Sequence, residues 1–262
     1  MRRLIIRPGA IGDLIVSLPA MERLRADDTE VWVASQNVPL VRFADRVRSI
    51  ASVGLDRLGV IPADDAIARL REFDSIVSWY GANRPEFREF VSAHHLPFEF
   101  LDALPASGSG MHAVDFYLRQ VGAEADAVPR IECASKPGDF AVIHPFASSA
   151  RKRWSFERFE ELASRLQHRM PVQWCCGPEE HLAGAVQISN LYELGCWIAS
   201  ARLYVGNDSG ITHLAAAVGA CTVALFGPTD PAVWTPRGPR IRVIAKPSME
   251  EISVSEVEYT CG

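Results

Sequence analysis

Short apolar runs recur along the chain, each followed by a longer stretch whose apolar residues fall at helical spacing. Leu4 to Arg7 predicts a first strand. The turn Pro8-Gly9-Ala10-Ile11-Gly12-Asp13 follows, then a helix carrying Leu14, Leu18, Met21 and Leu24 on one face. Pro19 must sit near the first turns of that helix or kink it. Further strands are expected at Val31 to Ala34, Val47 to Val53 and Ser75 to Trp79, with helices at Ala63 to Glu72 and Pro85 to Ala93. Strands alternating with helices imply βαβ units and a parallel sheet.

Between Glu124 and Asp139 the composition turns to Asp126, Pro129, Lys136, Pro137 and Gly138, which reads as a linker. The same alternation then restarts. Strands are expected at Phe140 to His144, Pro171 to Cys176, Leu203 to Gly206, Thr222 to Phe226 and Ile241 to Ile244. Helices are expected after Ser155, from Glu179, at Leu191 to Ala201 and at Ile211 to Val218. The predicted fold is α/β, with two Rossmann-like domains facing a cleft: an N-terminal domain over residues 1–130 and a C-terminal domain over 138–262. In such sheets ligands sit at the carboxyl ends of the strands.

Composition narrows the classes. With 262 residues and 48% hydrophobic content, the chain can build either one large domain or two of about 130 residues. The net charge of −5 comes without a Lys/Arg stripe, which argues against a nucleic-acid partner. No apolar run is long enough to cross a membrane, and Pro8, Gly9 and Asp13 interrupt any leader-like start. The six cysteines show no zinc spacing and read as reduced thiols. A cytoplasmic protein is expected, with peripheral contact at the inner face of the cytoplasmic membrane left open.

The most informative segment is Val205-Gly206-Asn207-Asp208-Ser209-Gly210-Ile211-Thr212-His213. It reads as strand, polar turn and helix. A helix start leaves backbone N–H groups unpaired at the positive end of its dipole, which suits a phosphate. Asp208, Ser209, Gly210 and Ile211 would form that cradle. His213, just inside the helix, either assists the phosphate or packs. Glu179, favoured narrowly over Glu180, stands after a strand end, where a carboxylate can accept ribose hydroxyls.

Three segments in order resemble the lipopolysaccharide heptosyltransferase family, ADP-heptose-dependent glycosyltransferases of family 9 and GT-B type. They are Arg7 to Ala20 (RPGAIGDLIVSLPA), His144 to Phe159 (HPFASSARKRWSFERF) and Val205 to Trp234. The resemblance implies Asp13 as the general base of an inverting displacement, a role that a carboxylate at the end of the first strand can fill. Helix capping is the competing reading of Asp13. Lys152, with Ser148 and Ser149, resembles the family's phosphate loop and would neutralise the departing nucleoside diphosphate. The competing reading of Arg151-Lys152-Arg153 is a solvated charge run. Where the family usually has a glycine before this Ser-rich turn, the chain has Phe146-Ala147.

The implied substrates are a nucleotide-sugar donor and a glycan or lipid-linked saccharide acceptor. No Asp-x-Asp occurs, so neither a metal site nor a resident cofactor is expected. Gly108 to Ala113 fits a dinucleotide fingerprint, but Leu104-Pro105-Ala106 before it is no strand. The chain is short for the family, which keeps open a non-catalytic nucleotide-sugar-binding protein. A nucleotide-sugar epimerase on the same architecture is the third reading.

Overall fold

The computed structural model describes residues 1–55, 64–106, 108–177 and 179–262. Its chain divides into two compact units. The first comprises Met1–Ser109 and Ala113–Ala127, the second Gly110–His112 and Val128–Gly262.

The first unit contains β1 (Arg2–Arg7), α1 (Ile11–Arg23), β2 (Asp28–Val33), β3 (Arg46–Ser49), α2 (Ile50–Val53), α3 (Asp64–Leu70), β4 (Ser75–Ser78), α4 (Pro85–Ala93), β5 (Phe98–Phe100) and α5 (Ala113–Gln120). Its sheet is parallel, in the order β3-β2-β1-β4-β5. The chain winds outward from β1 to β3, then returns to the other side of β1 as β4. That reversal puts a topological switch point at the carboxyl end of β1, where the Gly9–Asp13 turn lies. Leu4, Ile6, Trp32, Ile76, Phe87 and Val91 pack into one core.

The second unit contains β6 (Ala141–His144), α6 (Phe156–Gln167), β7 (Val172–Cys176), β8 (Val186–Gln187), α7 (Leu191–Ser200), β9 (Leu203–Asn207), α8 (Gly210–Ala217), β10 (Thr222–Phe226), α9 (Pro231–Trp234), β11 (Ile241–Ala245) and α10 (Val254–Cys261). Its parallel sheet runs β11-β10-β9-β6-β7-β8, so the reversal falls between β6 and β9. Both β9 and β10 are buried along their whole length, which explains their near-continuous apolar sequence. Phe159, Leu162 and Leu166 of α6 pack with Ile143, Val205 and Leu225. Full burial of a side chain such as Phe159 contributes about 1.5–3 kcal/mol.

Most predicted elements recur within a residue or two. The expected strand Val47 to Val53 is cut at Ser49 and continues as α2. Its partner β2 ends at Val33, paired with Ser49, so no ladder remains for Ile50 onward. No helix starts at Glu179. Glu180 is drawn into a tight turn by accepting the Gly177 N–H at 2.6 Å, and the chain proceeds to the short β8. Pro19 lies inside α1, buried, and the helix runs on past it to Arg23. Ala63, at the expected start of a helix, and Pro178, before Glu179, lie outside the described residues.

Candidate active site

At the first switch point, Asp13 occupies the third position of α1. Its Oδ2 accepts the N–H of Ala10 at 3.0 Å, so the carboxylate does support the helix start. The side chain stays half-exposed. Beneath it lies Arg7, 2% exposed. Its guanidinium donates to Ser17 Oγ at 3.0 Å, the Pro8 carbonyl at 2.9 Å, the Asp13 carbonyl at 3.0 Å and the Tyr117 hydroxyl at 2.9 Å. These bonds clamp both ends of the turn. Burial lowers the Arg7 pKa, against the opposing pull of Tyr117 and Asp13. Burial likewise pushes the Tyr117 hydroxyl up to about 12. Tyr117 sits on α5, a helix that the sequence reading does not predict.

Gly9 closes the turn at φ +115°, and a Cβ there would stand 2.9 Å from Asp13 Cβ and Oδ2. Gly9→Ala should therefore both strain the backbone, by about 1–3 kcal/mol, and displace the carboxylate. A lowered Tm together with reduced turnover is the expected result. An unchanged Tm would show the turn to be adaptable.

At the second switch point, Lys152 Nζ lies 2.7 Å from Asp208 Oδ2. Asp208 is largely buried, with a side chain 7% exposed, and Lys152 is half-exposed. Asp208 thus holds the lysine rather than presenting a bare negative charge. Ser209 caps α8, its Oγ accepting the Thr212 N–H at 3.4 Å. The earlier amides of the helix, those of Gly210 and Ile211, have no intrahelical acceptor. Ile211 can contribute only that amide, because its side chain is in the core. His213 is also buried. Ser148 is exposed and Ser149 half-exposed in the loop after β6, and the Ser149 carbonyl accepts the Lys152 N–H at 3.0 Å.

Sequence reasoning missed the residue that joins these pieces. Asn207 is fully buried at the end of β9. Its Oδ1 accepts the Trp154 N–H at 3.0 Å and its Nδ2 donates to the Pro145 carbonyl at 2.8 Å. It ties the loop after β6 to the start of α8. The signal was present, as a polar residue ending an apolar strand. Trp154 packs beneath the loop, with its indole N–H on the Ile252 carbonyl at 2.9 Å.

Of the two acids after β7, Glu179 is exposed and Glu180 meets the strand ends. Glu180 Oε2 receives both the His144 Nε2 contact at 2.8 Å and the Gly177 N–H, while Oε1 has no hydrogen bond among the described residues. Burial pushes the Glu180 carboxyl up. The His144 imidazole, the Gly177 N–H and Arg153 outweigh it, so the group is held below the ordinary value of 4.5. A carboxyl depressed in the folded state adds stability above its unfolded value, and that stability is lost as pH falls through the folded one. The wild-type Tm should consequently fall more steeply below about pH 4.5 than that of Glu180→Gln. Parallel pH–Tm curves would contradict the assignment.

Among the described residues, no group of three or more His, Cys, Asp or Glu side chains could hold a metal ion. No described helix is long and apolar enough to cross a membrane.

The sequence profile of glycosyltransferase family 9 (heptosyltransferase) matches residues 111–259. Lipopolysaccharide heptosyltransferase 3 of Escherichia coli strain K12 is 32% identical over an alignment of 114 positions that covers 37% of this chain. The match spans only 33% of that relative's length. The structure of E. coli ADP-heptose lps heptosyltransferase II superposes with a TM-score of 0.78 at 18% identity, covering 99% of this chain and 97% of that one. E. coli heptosyltransferase WaaC with ADP gives a TM-score of 0.71 at 17% identity, covering 99% and 98%. The fold is the GT-B type with two Rossmann-like domains.

Proposed function

Because this chain belongs to glycosyltransferase family 9, the heptosyltransferase family, we propose that it is an inverting glycosyltransferase. It moves a heptose or related sugar from a nucleotide-diphosphate donor to a lipopolysaccharide-core or other glycan acceptor. The observation that carries this reading is the Lys152–Asp208 pair at 2.7 Å beside the first turn of α8. A held cation next to unpaired helix amides suits a diphosphate. The relatives solved with ADP or named for ADP-heptose support an ADP-linked donor.

In the proposed step an acceptor hydroxyl attacks the anomeric carbon opposite the diphosphate. The new C–O bond forms as the bond to the diphosphate breaks. Asp13 takes the hydroxyl proton. Lys152, the Gly210 and Ile211 amides and the Ser148–Ser149 loop receive the charge that builds on the leaving group. Asp208 orients Lys152, and Ser209 fixes the helix start. The ribose role passes from Glu179 to Glu180, whose Oε1 is available to a hydroxyl. His213 packs beneath the cradle. The transfer uses no resident cofactor, since lysine and helix supply the neutralisation. A lipid-linked acceptor would bring the protein to the inner face of the cytoplasmic membrane.

The test is incubation with ADP-heptose and a heptose-deficient lipopolysaccharide core. ADP release, a mass gain of one heptose on the acceptor and an inverted anomeric centre by NMR are expected. ADP binding without transfer to any of a panel of acceptors would make this a binding protein. Donor altered in the absence of acceptor would make it an epimerase.

A further inference from the structure

Three consecutive cations, Arg151, Lys152 and Arg153, divide between two places. Lys152 turns to Asp208. The short 3-10 turn Ala150–Lys152 and the residue after it put Arg151 and Arg153 on the wall of an open cavity of about 230 Å3, whose lining includes neither Lys152 nor Asp208. Pro228, Ser248, Met249 and Glu250 form much of the remaining lining. Arg153 uses its Nε on the Ala147 carbonyl at 2.8 Å, which holds the side chain, and its charge also acts on Glu180. Arg151 makes no ion pair among the described residues. The far wall is braced from below: Arg158 Nη1 donates to the Glu250 carbonyl at 2.7 Å and the Ile252 carbonyl at 2.8 Å. Ser248 Oγ accepts the Glu250 N–H at 3.2 Å, and its own proton remains to be donated.

We propose that this cavity is a second anion site, one that takes a phosphorylated saccharide unit. Two guanidinium groups and a hydroxyl offer donors from several directions, as a phosphate monoester requires, against the Glu250 carboxylate on the wall and the Glu180 carboxylate near Arg153. The cavity is larger than a phosphate alone needs, and the Pro228 and Met249 walls suit the C–H face of a sugar ring. That the phosphate arrives on a saccharide rests on the transferase reading. The existence of the site does not.

Titration of the ADP-saturated protein with glucose 6-phosphate, inorganic phosphate and glucose, followed by calorimetry or NMR, tests it. Glucose 6-phosphate should bind in the presence of ADP, and more tightly than either inorganic phosphate or glucose. Its affinity should fall about tenfold in Arg151→Ala/Ser248→Ala, with ADP affinity retained. It should also weaken with added salt. Competition between ADP and glucose 6-phosphate would overturn the proposal, as would an unchanged affinity in the double variant. Equal binding of inorganic phosphate would remove the saccharide from it. Failure of ADP itself to bind would count against the transferase reading alone, because the glucose 6-phosphate titration can be run without nucleotide.

Discussion

Asp13→Asn should lower kcat for sugar transfer by about 10²–10⁴-fold while leaving ADP affinity unchanged. The substitution is informative because of the Ala10 N–H, which Asp13 Oδ2 accepts at 3.0 Å. An asparagine Oδ1 can accept the same bond, so the helix start survives, whereas the capacity to take a proton does not. Asp13→Ala removes both, and should add a stability loss of about 0.5–2 kcal/mol to the same kinetic defect. If Asp13 only supported the helix, Asn would be near wild type in both Tm and kcat. Measuring the two variants side by side therefore separates the capping role, which the geometry displays, from the proton-accepting role proposed for it. Full activity in Asp13→Asn would remove the residue from the mechanism.

Lys152→Met should weaken ADP binding and reduce kcat by about 10²–10³-fold, for two reasons that can be told apart. The first is loss of the cation. The second is that Asp208, with a side chain 7% exposed, loses its partner and stands as an uncompensated anion beside the diphosphate. Adding Asp208→Asn to Lys152→Met removes that second penalty. The double variant should recover part of the lost ADP affinity, about tenfold, but little of kcat. Asp208→Asn alone should be milder than either, since Lys152 keeps its charge. ADP affinities from calorimetry on the four proteins, with single-turnover rates, complete the cycle. Equal ADP affinity in the wild type and in Lys152→Met would place the diphosphate elsewhere.

The sequence pattern carried much of the architecture because both sheets are parallel and buried. Such strands must be apolar, and the helices between them must be amphipathic, so the alternation along the chain reports the βαβ order directly. Capping chemistry was legible in the same way at Ser155, which precedes a helix and accepts an N–H three residues on. Elements with weak local signatures were not legible. β5 has three residues and β8 two, and each exists only because a neighbouring strand offers a ladder. The strand expected to run to Val53 stopped at Ser49 for the complementary reason, because its partner ended.

The candidate site shows the same division. Lys152, Asp208, Ser209 and Gly210 stand out in the sequence because strand ends and helix starts can be found from local pattern, and those are the places that bind anions. Which side chain a carboxylate pairs with cannot be found that way. That Asp208 holds Lys152, that Glu180 rather than Glu179 meets His144, and that Arg7 reaches Tyr117 are long-range contacts, spanning 56, 36 and 110 positions. Hydrophobic period and turn chemistry are properties of neighbouring residues, so the chain alone determined its strands, its helices and the turns proposed to bind anions. Partner choice among the charged groups depends on the order in which the strands assemble, and only the folded sheets decided it.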